Sequence, residues 1–111
     1  MELEPGVFVS SIATDEWEDD PEVGGRVHVL HAGDDGADAG MSLFEEVPAE
    51  PVTWTLPERE TIHVLEGAVR IEIAGGVTLE LSAGDIASMP KGADTTWHLT
   101  RVPYKELWVI G

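Results

Sequence analysis

Glu60 is the residue whose position most directly suggests chemistry. It opens a run in which apolar and polar residues alternate, and it has the same parity as Ile62 and Val64. Side chains of one parity share one face of a strand, so this carboxyl group is expected on an apolar face. There it could act as a general acid or base, or anchor a cationic or amide ligand. It could equally lie at the edge of that face, solvated or paired with Arg59 or a backbone amide.

The register around Glu60 is predicted from a reversal at Glu66-Gly67. A two-residue hairpin there, with glycine supplying the positive φ, gives three pairs on the apolar face: Val64 with Val69, Ile62 with Ile71, and Glu60 with Ile73. The opposite, polar face would place His63 across from Arg70.

A second reversal follows at residues 74–76. A two-residue loop would pair apolar with polar side chains, whereas a three-residue loop pairs Ile71 with Leu79 and Val69 with Leu81. Burial favours the three-residue loop, with Gly76 in the left-handed conformation.

The four histidines are the other candidates for chemistry, as metal ligands. His63 is predicted on the polar face, and His98 points away from the interior if its neighbour Trp97 points inward. His28 and His31 differ in parity, so one regular strand cannot direct both into the same pocket. These positions favour surface or interface histidines over a metal site.

The composition excludes several classes of protein. Among 111 residues, six Lys and Arg stand against 22 Asp and Glu, and the net charge of −16 opposes binding to nucleic acid or to a membrane surface. This balance suits a high-salt cytoplasm and equally an ordinary acidic protein. The chain has no cysteine and no apolar span of about 20 residues, and its first residues do not resemble a signal peptide. We therefore expect a cytoplasmic protein without disulfides.

Short strands separated by turn signals account for most of the chain. The further predicted strands cover residues 7–12, 26–31, 41–47, 52–56, 86–89, 95–101 and 105–110. No segment has a convincing helical period, so the sequence predicts an all-β sandwich or barrel, with residues 1–111 as a single domain.

Two segments resemble the two signature motifs of the cupin superfamily. In the first, Glu60 is followed after six residues by Gly67, and in the second, Gly84-Asp85 is followed by Pro90-Lys91-Gly92. Trp97 and residues 105–110 look like the small branch related to ureidoglycine aminohydrolase and ethanolamine-utilisation cupins. The resemblance covers residues 54–110. It implies a cupin-like double-stranded β-helix, a small jelly-roll barrel with an internal pocket, and a homodimer.

The resemblance also implies where a metal would bind, and here the sequence departs from the family pattern. The His-x-His position reads Trp54-Thr55-Leu56, or Thr53 and Thr55 by a one-residue offset, and the late histidine position falls on Thr95. Only Glu60 remains of the ligand set, and one carboxylate does not hold a transition metal. We therefore expect neither a metal nor another cofactor. The candidate ligand-binding residues are Trp54, Leu56, Met89, Thr95, Trp97 and Tyr104, with Glu60 as the candidate catalytic residue. Large aromatic residues in a small barrel, and a methionine such as Met89, are more often core than ligand contacts.

Three functions are compatible with these residues. The favoured one is a metal-independent cupin that binds, and could transform, a small polar metabolite of nitrogenous or sugar-derived character. The alternatives are a non-catalytic binding or dimerisation module and a metalloenzyme with degenerate ligands. A barrel packed solid would favour the module, whereas a pocket of several hundred Å3 around Glu60 would favour ligand binding.

Overall fold

The computed structural model describes residues 1–111 and contains ten β-strands and no helix. The strands are β1 Glu2–Glu4, β2 Val7–Phe8, β3 Glu18–Asp19, β4 Arg26–His31, β5 Asp38–Phe44, β6 Val52–Thr55, β7 Glu60–Ile73, β8 Thr78–Ser82, β9 Ile86–Met89 and β10 Asp94–Ile110. The predicted all-β class is confirmed. The protein has no helix that could cross a bilayer.

Two long strands, β7 and β10, belong to both sheets of the barrel. The first part of β7 pairs with β9 and with the last part of β10, which also pairs with β5. The last part of β7 pairs with β8 and with the first part of β10, which also pairs with β6. One sheet therefore has the order β3-β4-β5-β10-β7-β9, and the other has the order β6-β10-β7-β8. The interior lies between these two sheets.

The predicted hairpin at Glu66-Gly67 is wrong, because β7 continues through these residues. Residues 62 and 64 are buried before this point and residues 69 and 71 after it, so the inward parity switches within one strand. Gly67 has a φ of 78° and lies against β10, whose register is irregular in the facing segment. The chain thus bends from one sheet into the other where the hairpin was expected.

Because the hairpin is absent, the residue pairs predicted across it are wrong on both faces, and Glu60 lies opposite Met89 and Ile110 rather than Ile73. His63 lies opposite Ile86 and Leu107, and Arg70 lies opposite Glu80 and His98. Glu60 nevertheless faces inward, since its parity relative to Ile62 does not depend on the hairpin.

The predicted three-residue loop at residues 74–76 is confirmed by the pairs Ile71–Leu79 and Val69–Leu81. The left-handed residue in that loop is Gly75, with a φ of 72°, so the assignment to Gly76 is wrong.

The core consists of apolar side chains from both sheets. Seven large side chains are almost fully buried: Leu56, Ile62, Val64, Val69, Ile71, Met89 and Tyr104. The predicted strand over residues 26–31 is confirmed, whereas the two strands predicted after residue 94 form the single strand β10. The first predicted strand is shorter, at Val7–Phe8, and β5 ends at Phe44 rather than at residue 47.

Candidate functional site

Glu60 is the first residue of β7, and its side chain is only 4% exposed. Its Cα partners are Met89 on β9 and Ile110 on β10, so apolar residues flank it on both sides. The indole Nε1 of Trp54 donates a 3.0 Å hydrogen bond to Oε1 of Glu60. Burial raises the pKa of Glu60, and donation from Trp54 offsets part of that rise.

A second buried carboxyl group, Glu106, was not among the residues singled out from the sequence. It lies on β10 and is 5% exposed, with Val64 and Ser42 as its Cα partners. Tyr104 donates a 2.8 Å hydrogen bond from its hydroxyl to Oε1 of Glu106. Burial raises the pKa of Glu106 to about 8, and the nearby charge of Glu60 contributes to the rise.

Strand parity could have identified Glu106. Tyr104, Glu106 and Trp108 alternate along β10, so an inward Tyr104 requires an inward Glu106. Burial and the adjacent carboxylates keep the pKa of Tyr104 far above its ordinary value. The tyrosine hydroxyl therefore remains protonated and serves Glu106 as a donor.

A chain of hydrogen bonds fixes two of the tryptophans. Trp97 donates from Nε1 to the Thr95 hydroxyl at 2.7 Å, and Thr95 donates to the backbone carbonyl of Trp54 at 2.6 Å. The Thr95 hydroxyl is thus occupied as acceptor and as donor within the protein. This relay ties the first part of β10 to β6, the strand that carries Trp54.

A cavity of about 860 Å3 opens between the sheets beside both carboxyl groups. Its aromatic lining consists of Phe44, Trp54, Trp97, Tyr104 and Trp108. Its titratable side chains apart from Tyr104 are all acids: Asp20, Glu22, Asp38, Glu60 and Glu106. No lysine, arginine or histidine lines it.

The structure brings four of the sequence-predicted site residues together on this cavity: Glu60, Trp54, Trp97 and Tyr104. It does not bring the other three there. Leu56 and Met89 are each 1% exposed and belong to the apolar core, and Thr95 is 3% exposed within the hydrogen-bond relay. Trp108, which lines the cavity, donates from Nε1 to Ser42 at 3.0 Å.

The side chains at the family's metal position do not fit a metal ion. Trp54, Leu56 and Thr95 offer no imidazole, and the protein contains no group of three or more His, Asp or Glu residues placed to hold a metal. The histidines lie elsewhere: His98 contacts Glu72 on the outer face, and His28 and His31 bond to nearby loop residues. Two carboxyl groups and a phenol are a poor ligand set for a transition metal.

The two long strands shared by both sheets, the motif carboxylate on β7 and the cavity between the sheets define a small cupin. A family model for the EutQ-like cupin domain matches residues 44–105. The chain belongs to that family, and the predicted resemblance is confirmed. No curated protein shows a significant match to the chain.

Solved structures extend the similarity of fold beyond the matched residues. A Salmonella typhimurium protein assigned as ethanolamine utilization protein Q is 23% identical, with a TM-score of 0.76 over 98% of this chain and 89% of its own. The Clostridium difficile EutQ protein is 22% identical, with a TM-score of 0.62 over 81% of this chain and 69% of its own. An RmlC-like cupin from Shewanella frigidimarina is 20% identical, with a TM-score of 0.68 over 90% and 86% of the two chains.

Proposed function

We propose that this protein binds a small polar metabolite, nitrogenous or sugar-derived, in the cavity between its sheets without using a metal ion. The observation that carries the proposal is the position of Glu60. Its carboxyl group is buried, yet it borders a cavity of about 860 Å3. A charged side chain removed from water is costly unless a partner compensates it, and a ligand in the cavity would provide that partner.

The size and lining of the cavity support ligand binding over a purely structural module. Ligand pockets are commonly about 300–1,000 Å3, mostly apolar, with a few placed polar groups. Here Trp54, Trp97 and Trp108 provide broad apolar surfaces, while Glu60 and Glu106 provide hydrogen-bond acceptors. A barrel serving only as a scaffold gains nothing from leaving such a volume unfilled, because dense packing stabilises the fold.

The same geometry is suited to proton transfer if the bound metabolite is transformed. A general acid or base works best when its pKa lies near the working pH. Burial raises the pKa of Glu60 toward that range and raises the pKa of Glu106 to about 8. Glu60 is therefore the proposed catalytic or anchoring group, and Glu106 is a second group able to hold a proton.

The test is a calorimetric ligand screen on protein treated with EDTA. The compounds would be ureides, amino sugars, neutral sugars, amino alcohols and small acids, each compared with buffer. We expect at least one nitrogenous or sugar-like compound to bind, and Glu60→Gln to weaken it by about 10-fold or more. Glu80→Gln is the matched control, because it removes an exposed strand carboxylate that does not line the cavity.

The proposal fails if no compound in the screen binds, and two further outcomes would contradict it. One is unchanged affinity in the Glu60→Gln variant for every compound that binds. The other is binding that disappears with EDTA and returns with one divalent ion, together with near-stoichiometric metal in protein purified without added metal. That second outcome would favour the metalloenzyme alternative.

A further inference from the structure

The charged groups that line the cavity all have the same sign. Five acids face it, and none of the six Lys and Arg residues does. The ion pairs that these basic residues make lie outside the cavity: Arg70 with Glu72, Lys91 with Glu58, and Lys105 with Glu66. The protein therefore supplies no counter-charge to its two buried carboxyl groups.

Both buried carboxyl groups are also incompletely hydrogen-bonded. Glu60 and Glu106 are 4% and 5% exposed, and each accepts one hydrogen bond, at Oε1, from a neutral donor. Neither Oε2 atom has a donor from the protein, although both residues border the cavity. A buried acid of this kind either keeps its proton or, when it is ionised, needs a cation or several donors.

We infer that the ligand supplies the missing counter-charge: the cavity takes a small organic cation, with an alkylammonium group between Glu60 and Glu106 and its carbon skeleton against the indole rings. This inference rests on the proposed function and narrows its ligand class. A primary ammonium group has three N–H donors for carboxylate oxygens. Trp54, Trp97 and Trp108 add apolar contact and the electron-rich faces that attract cations.

The outer part of the cavity also favours a positively charged ligand. Asp20, Glu22 and Asp38 lie on its lining and are more exposed than the two buried acids. Together with the net charge of −16, they produce a negative potential that concentrates cations and repels anions. A neutral sugar could accept and donate hydrogen bonds here, but it would leave the charge of Glu60 uncompensated.

The test compares pairs of probes that differ in one charged group. Benzylamine is compared with benzyl alcohol, and 5-aminopentan-1-ol with pentane-1,5-diol, by calorimetry on the full chain at neutral pH and low salt. We expect each amine to bind at least about 10-fold more tightly than its alcohol partner. Glu60→Gln and Glu106→Gln should each reduce that preference, and the surface control Glu80→Gln should retain it. Circular dichroism and thermal unfolding establish that each variant is folded.

Proton release provides a second measurement that needs no variant. A cation beside Glu106 should expel the proton that burial allows this carboxyl group to retain near neutral pH. The titratable groups facing the same space are Glu60 on β7, Tyr104 on β10, and the more exposed Asp20, Glu22 and Asp38. Binding enthalpies in buffers of different ionisation enthalpy should reveal net proton release with the amines.

Each result of the experiment decides the inference. Equal or tighter binding of the alcohols, or amine binding without proton release, would overturn it while leaving a neutral ligand and the proposed function intact. Failure of both amines to bind would also overturn it. The proposed function fails separately: if the wider screen of neutral and acidic compounds gives no ligand either, if Glu60→Gln leaves every affinity unchanged, or if binding requires a divalent ion.

Discussion

Trp54 and Glu60 are joined by a 3.0 Å hydrogen bond from the indole Nε1 to Oε1 of the carboxyl group. These residues come from β6 and from the start of β7, which lie in different sheets. The bond thus crosses the barrel interior at the cavity. It is the only hydrogen bond that a protein side chain gives to Glu60, so the ionised form of this acid depends on one indole.

Replacing Trp54 by phenylalanine should raise the pKa of Glu60 further, because the one donor that favours the ionised carboxylate is lost. Carboxyl 13C NMR titration would measure the shift, with Glu60→Gln assigning the signal. Trp17→Phe is the control, since Trp17 donates to the Thr14 carbonyl away from the cavity. An unchanged titration midpoint for Glu60 in the Trp54 variant would show that the indole does not control this acid.

The stability of the protein should fall as pH rises from about 5 to 8. Glu106 has a pKa of about 8 when folded, against an ordinary value of 4.5. Between these values the folded chain retains a proton that the unfolded chain has lost, so the free energy of unfolding decreases with pH, at most by about 1.4 kcal/mol per pH unit from this group. The raised pKa of Glu60 acts in the same direction.

Glu106→Gln should reduce the decrease of the free energy of unfolding with pH, because the glutamine amide is neutral in both the folded and the unfolded protein. Urea unfolding at several pH values measures it. Glu80→Gln removes the same unit of charge from the surface and should leave most of the slope, which separates the burial of Glu106 from the repulsion among the other acids. Parallel slopes in wild type and in Glu106→Gln would rule out a protonated Glu106 in the folded protein near neutral pH.

Alternation predicted the inward direction of Glu60 because parity is a local property of a strand. The hairpin at Glu66-Gly67 could not be distinguished from a kink on the same grounds. In a hairpin and in a kinked strand alike, the apolar residues switch from even to odd positions at the glycine. Only the position of β10 decides between the two structures. The loop at residues 74–76 was predictable, since burial of Leu79 and Leu81 allows one register.

The candidate site was predictable only in part, because the type and parity of a residue do not reveal how deeply its side chain is buried or whether it lines a cavity. Thr95 and Met89 have the parity of interior residues, yet both are buried and neither lines the cavity. Glu106 shares the interior parity of Tyr104, which indicates its direction, but parity does not distinguish a buried glutamate from a solvated one at the edge of the barrel. The cavity itself depends on how far apart two sheets pack, and that spacing is set by contacts distant in sequence.

Gly67→Ala should strongly destabilise the fold. A Cβ at this position would clash with the carbonyl oxygens of Arg101 and Pro103, and φ is 78°. Strain at positive φ and the clash with β10 together predict a loss of roughly 2–5 kcal/mol.

Gly75→Ala is the matched control for that clash. Gly75 has a φ of 72°, but a Cβ there would meet nothing within 4 Å. Only the backbone strain of about 1–2 kcal/mol is expected. If urea unfolding showed that the two variants lose the same free energy of unfolding, β7 would not approach β10 closely at Gly67.

Thr95→Val should separate the structural role of Thr95 from the ligand-contacting role predicted from the sequence. Valine keeps the shape but removes the hydroxyl that accepts from Trp97 and donates to the Trp54 carbonyl. The unpaired indole N–H predicts a loss of about 1–3 kcal/mol in the free energy of unfolding. Since Thr95 does not line the cavity, affinity for any ligand found there should change by less than about 3-fold.

Thr96→Val is the control for Thr95→Val, because Thr96 lies on the opposite face of β10 and makes no side-chain hydrogen bond within the protein. The free energy of unfolding of Thr96→Val should stay within about 0.5 kcal/mol of the wild-type value. Urea unfolding and calorimetric titration on all three proteins distinguish the roles. If Thr95→Val abolished ligand binding while stability remained at the wild-type level, Thr95 would be a ligand contact, and the hydrogen-bond relay to Trp97 would not be its main role.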